Sequence, residues 1–201
     1  MSQDRPILYR QIMARTRTFD LDTAITQATE VFWKRGYAAT SMTDLYEATG
    51  LKPGSLYAAF VDKETLFRRC FEAYTEHFRA TLPKDRQGVA AIEAWLAVQA
   101  RLAADDPDRK GCLIINTVTE REVHSEATKA LAAGRLQEIR DFFRLNLALA
   151  VADGSLPASF PQEAEADALL GTVVSLMALG RAGADKRVIS HVAVRAAAAL
   201  A

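Results

Sequence analysis

The residues of this 201-residue chain that could do chemistry are few and far apart. Cys70 and Cys112 are its two cysteines, and His77, His124 and His191 its three histidines. Glu120 and His124 are four apart, a spacing that shares a helix face, and Cys112 lies upstream, so a metal site can be drawn. A lone Glu/His pair at that spacing is common on helix surfaces, and neither a metal nor another cofactor is expected; each histidine reads as a solvated or hydrogen-bonded surface residue. The chain has no G-x-S-x-G, no glycine loop closed by lysine, no H-E-x-x-H and no C-x-x-C. No catalytic group is specified, and the expectation is a protein that is not an enzyme. Cys112 has the most suggestive surroundings, because Arg109 and Lys110 precede it and it opens the run G-C-L-I-I-N. Cations and a helix N-terminus both favour the reactive thiolate. It is therefore a candidate sensor of electrophiles or oxidants, against the plainer reading of a small buried apolar residue.

A second group could bind rather than react. In Thr40 to Lys63, T-S-M-T-D-L-Y-E-A-T-G-L-K-P-G-S-L-Y-A-A-F-V-D-K, Ser41 and Asp44 have capping-box spacing and open a short helix. Gly50 stops it where a left-handed backbone suits glycine, and Pro53 suits the first position of the next helix. Helix, glycine turn and helix make a helix-turn-helix. On the second helix Leu56 and Phe60 share a face and can be held in a core, leaving Ser55, Tyr57, Ala58 and Ala59 to point elsewhere. Gly54 and Ser55 let another backbone approach, and helix N-terminal amides attract phosphate. Lys63, beside the capping residue Asp62, adds a positive charge at the far end.

The runs G-Y-A-A-T-S-M-T-D-L (Gly36 to Leu45) and G-L-K-P-G-S-L-Y-A-A-F-V-D-K-E-T-L (Gly50 to Leu66) resemble the DNA-binding domain of the TetR family of transcriptional regulators. The match covers roughly Phe19 to Phe71. The resemblance implies that Thr43, Lys52, Gly54, Ser55, Tyr57 and Lys63 lie at or near DNA. Ala58 belongs to the same face, but it and Ala59 are smaller than the residues many members carry there, so fewer base contacts are expected and DNA shape should carry part of the specificity. It also implies a repressor, a homodimer on a palindromic double-stranded operator, with release by a small molecule or an electrophile. A G-C-L sequence at the place of Cys112 resembles a branch in which such a cysteine takes part in sensing. The competing function is a small all-α enzyme or ligand-binding protein whose helix-turn-helix does not touch DNA.

The elements that must position these residues are helical, and the expected fold class is all-α. Residues 1–18 carry Arg5, Arg10, Arg15 and Arg17 without periodicity; they read as a flexible basic leader, or alternatively as an arm along DNA. Met13 begins M-A-R-T-R-T-F-D, so the true start could be Met1 or Met13. Residues 19–65 form the DNA-binding domain. Residues 66–201 form a larger helical domain for effector binding and dimerisation, its pocket lined by generic apolar residues. The spacing predicts helices over Asp22–Arg35, Lys63–Leu82, Val89–Ala103, Ser125–Asp153, Pro161–Arg181 and Lys186 to the end. Gly111–Thr119 favours a strand on propensity, but with no partner strand elsewhere a short buried helix is expected. The last two helices carry more apolar surface than a monomer needs, and Leu170, Val173, Met177, Ile189, Val192 and Ala196 are assigned to a two-fold interface.

Composition agrees. Half of the residues are hydrophobic, enough for a core, and the formal charge is zero, so binding to nucleic acid must be local rather than a general basic coating. With two distant cysteines, no secretory leader and no membrane-length apolar run, the expected setting is the reducing cytoplasm, away from any membrane.

Overall fold

The computed structural model describes residues 21–200, which are helices joined by turns, with no strand among them. The leader lies outside the described residues. Two compact units divide between Tyr74 and Thr75.

The first unit holds α1 (residues 21–35), α2 (Met42–Thr49), α3 (Pro53–Ala59) and the first turns of α4 (Lys63–Arg79). Ala24, Ile25, Ala28 and Phe32 of α1 are buried with Leu45, Leu56 and Phe60. From α4 come Leu66, Phe67, Cys70 and Phe71, so the unit extends beyond residue 65 into that helix. Phe67 meets Phe32 edge-on at 5.0 Å, and Tyr37 closes the cluster at 5.1 Å from Phe67. Aromatic pairs at such distances add to the burial itself.

The second unit contains α5 (Gly88–Asp105), α6 (Leu113–Thr119), α7 (Glu126–Ala152), α8 (Gln162–Ala182) and α9 (Lys186–Ala197), with a 3₁₀ turn at Ala198–Leu200. Helix α5 is central and packs on α7, α8 and α9. Its Trp95 is fully buried, ringed by Phe78, Phe142 and Phe143 at 5.1 to 5.8 Å, and its indole N–H donates to the Thr81 hydroxyl at 3.1 Å. At Gly180 of α8 the backbones come closest: a Cβ there would lie 2.6 Å from the Ala103 carbonyl oxygen of α5. The Gly111–Thr119 segment is helical from Leu113; Ile114, Ile115 and Thr117 are buried, while Val118 and Thr119 face outward, and the helix packs on α7 and α8. Thr117 returns its hydroxyl to the Leu113 carbonyl at 2.7 Å. Ser125 caps α7. Pro161 sits one residue earlier than expected, as the cap of α8 rather than its first residue.

Three interface assignments are corrected. Val173, Met177 and Ile189 are only 1%, 4% and 1% exposed in the single chain. They fill the protomer's own core, because α8 turns that side towards α5 and α7 while α9 packs on α5. Leu170, Val192 and Ala196 are partly exposed.

Candidate nucleic-acid interface

The reader is assembled by local rules. The Ser41 hydroxyl accepts from the Asp44 amide at 3.1 Å, and the Ser41 amide donates to the Asp44 carboxylate at 2.7 Å, completing the capping box. Arg35, at the end of α1, forms an ion pair with the same carboxylate. These hydrogen bonds, chiefly those from Ser41, hold the Asp44 carboxyl down at about 2. Gly50 ends α2 with φ +64°, and Pro53 opens α3 after Lys52.

Helix α3 is anchored by Leu56 and by Phe60 just past its end, at 1% and 5% exposure. Nearly everything else on it faces outward. Lys52, Gly54, Ser55, Tyr57 and Ala58 are exposed, and Thr43 of α2 is exposed as well. A Cβ at Gly54 would meet no protein atom within 4 Å, so the fold itself does not require glycine there.

Two expected contacts are built differently. The Tyr57 phenol shares a hydrogen bond with the Tyr46 phenol of α2, and this is the main cause of the raised pKa of Tyr46. Lys63 is partly buried, with its ammonium 4.2 Å from the centre of the Tyr37 ring, a cation–π distance. Burial and a hydrogen bond to Glu64 push the Tyr37 phenol well above its ordinary range. Tyr37, Tyr46 and Arg35 thus support the reader, and the sequence reading missed all three. Outward placement of Tyr46, next to buried Leu45, was available from helical period; the Arg35–Asp44 and Tyr37–Lys63 pairings join separate elements and had no local signal.

The candidate sensor is elsewhere, at the N-cap of α6. Cys112 is 1% exposed and makes no side-chain capping bond. Arg109, at φ +52°, is exposed and lays its guanidinium against Gly183 after α8. The Lys110 carbonyl accepts from Arg181 at 2.7 Å and Asn116 at 2.9 Å. Cys70 is buried under the Ile25 carbonyl, 3.6 Å away, and burial pushes its thiol up to about 12. His77 and His191 are exposed, but His124 is buried at 5% exposure, contrary to its expected surface place. Glu120 ends α6 and His124 follows a separate 3₁₀ turn, so the two do not share a helix face. Among the described residues no three His, Cys, Asp or Glu side chains converge as a metal site, and no helix is long and apolar enough to cross a membrane.

A helix-turn-helix displayed by one helical unit and followed by a second helical unit is an architecture suited to a DNA reader. Residues 24–70 match the family described as bacterial regulatory proteins, tetR family. Residues 88–196 match the tetracyclin repressor-like C-terminal domain. The chain belongs to the TetR family. Among curated relatives it is 34% identical to the HTH-type transcriptional repressor ComR of Escherichia coli K12, over 59% of this chain and 59% of ComR, so the match spans less than two thirds of that protein. It is 28% identical to the HTH-type regulator YezE of Bacillus subtilis 168, over 72% of this chain and 76% of YezE. Among solved structures, a cysteine-substituted CifR bound to 26-base-pair operator DNA superposes with TM-score 0.77 at 27% identity, covering 89% of this chain and 95% of CifR. A TetR regulator from Chloroflexus aurantiacus J-10-FL gives 0.83 at 25%, covering 92% and 95%.

Proposed function

We propose that this chain is a cytoplasmic transcriptional repressor that binds a palindromic double-stranded operator as a homodimer and is released by a small-molecule ligand. The observation that carries the reading is the split face of α3. Leu56 and Phe60 lock the helix into its unit, while Ser55, Tyr57 and Ala58 stand out beside Thr43 and Lys52. Such a helix can enter a major groove with its polar flanks on phosphate. The repressor designation of ComR and the operator complex of CifR support it.

Dimerisation through the outer sides of α8 and α9 fits the surface. There Ala164, Ala168, Gly171, Ser175 and Ala178 form an exposed stripe of small residues, and Val188 lies exposed on α9. Leu170, Val192 and Ala196, partly exposed, lie at its edges. Cys112 takes a packing role in this reading. Its thiol cannot meet a reagent unless the turn at residues 109–112 opens, so the signal is assigned to a non-covalent ligand.

Retardation of promoter DNA at two salt concentrations tests the reading, since counterion release makes binding weaken steeply with salt. Tyr57→Ala should weaken binding to every sequence without unfolding the protein, and Lys52→Ala, exposed at the start of α3, should lower the salt slope by about one. Operator affinity unchanged in Tyr57→Ala would remove α3 as the reader.

A further inference from the structure

We infer that the groove between α5 and α9 is a binding site for a small amphipathic anion, a carboxylate carrying a medium-length apolar tail. The groove has a volume of about 400 Å³, within the common range of ligand sites, about 300 to 1,000 Å³. It exists because the facing residues are small: Ala97, Ala100 and Ala104 of α5, three and four apart, oppose Ala193 and Ala197 of α9. Leu96 is buried behind them, and Val194, 64% exposed, forms a lip.

The two helices run in opposite directions, because Lys186 at the start of α9 donates to Asp105 at the end of α5 at 2.6 Å. That fixes the charge pattern. Arg101 and Lys186 stand at one end of the groove and Glu93 at the other. The charge of Lys186 is offset by Asp105, whereas Arg101 makes no ion pair among the described residues. An apolar trough with one uncommitted guanidinium at its end suits a single anionic head, which arginine can bind through two parallel hydrogen bonds. Eight residues of helix separate Arg101 from Glu93, about 12 Å of axis, so a tail lying on the alanines points its uncharged end at the carboxylate. A cationic head at Glu93 would place its tail against Arg101 and Lys186.

The groove lies on the side of α9 that carries Lys186, Ser190, Ala193 and Ala197, away from Val188, His191 and Arg195. An anion can therefore reach it when the outer face of α9 is covered by a second copy. The site names a signal for the repressor proposed above and rests on that reading for its consequence, though not for binding itself.

Calorimetric titration of the full chain with decanoate, decanol and decyltrimethylammonium tests the site. Decanoate should bind saturably, and the other two at least about tenfold more weakly, the size of effect expected for a charge-assisted hydrogen bond. Arg101→Gln should cost decanoate about the same factor. Ala97→Trp, at an exposed position, should fill the trough and abolish binding, and Val194→Glu should repel the anion, both with unchanged thermal unfolding midpoints. No saturable decanoate binding, equal binding of decanol, or wild-type affinity in Ala97→Trp would overturn the assignment. So would dissociation of a dimer by Ala97→Trp in sedimentation, which would make the groove an interface between copies. Decanoate should release operator DNA from the wild type and not from Ala97→Trp. If calorimetric binding holds while DNA is never bound, the repressor reading fails and the site stands.

Discussion

Helix α3 and the pair α8–α9 are built on opposite plans. Helix α3 is short, is positioned by a proline at one end and two buried side chains, and shows almost all of its remaining surface. Helices α8 and α9 are longer, and their largest apolar side chains are spent inside the protomer: Leu169, Val173, Leu176, Met177 and Ile189 are all buried. What α8 leaves exposed is small, Ala168, Gly171, Ser175 and Ala178 among it, whereas α9 also shows Val188 and Val194. The difference teaches that a surface for another molecule is not found by counting apolar residues. On α3 the outward residues are those the fold does not need, and on α8 they are those it could leave small.

The largest expected effect tests the inward half of that partition. Met177→Ala should destabilise the chain by about 2–5 kcal/mol in urea unfolding, the range for emptying a buried methionine site. A variant of normal stability but altered association would return Met177 to the interface. Next, Ser41→Ala should cost about 0.5–2 kcal/mol, the usual loss of a helix N-cap, and weaken DNA binding because α2 holds Tyr46 beside Tyr57. Val188→Asp, on the exposed side of α9, should move stability by no more than about 0.5 kcal/mol, yet shift the sedimentation coefficient towards that of a monomer. The smallest effect is on pH dependence. The Asp44 carboxyl is held at about 2 against an ordinary 3.8, so its contribution is complete above pH 3.8 and is lost as pH falls towards 2. An NMR titration of the Asp44 carboxyl should show the low midpoint, and Ser41→Ala should raise it.

The reader was legible because its signals act within a few residues. Ser41 and Asp44 cap one turn, Gly50 and Pro53 punctuate the next, and the spacing of Leu56 and Phe60 sets which side is held. The all-helical class followed from periodicity, including Gly111–Thr119, where the absence of a partner strand outweighed propensity. What stayed hidden was non-local. Helices α8 and α9 are apolar on more than one side, and only their packing on α5 and α7 decides which side stays in the chain. Cys112 shows the same limit, since neighbours in sequence suggested a reactive thiol and folding buried it, turning Arg109 towards Gly183. Lys63 read as a positive charge at the DNA, yet its ammonium rests over a tyrosine from an earlier turn.

The close approach at Gly180 has a mechanical consequence. With the Ala103 carbonyl seated where a side chain would stand, α5 and α8 are indexed like a pawl in a ratchet tooth. Sliding one helix past the other by about a turn, roughly 5.4 Å of travel, would bring the side chain of Leu176 or Met177, on the same face of α8, up to that carbonyl. The notch therefore opposes sliding along the helix axes, while a pivot about it leaves the carbonyl seated.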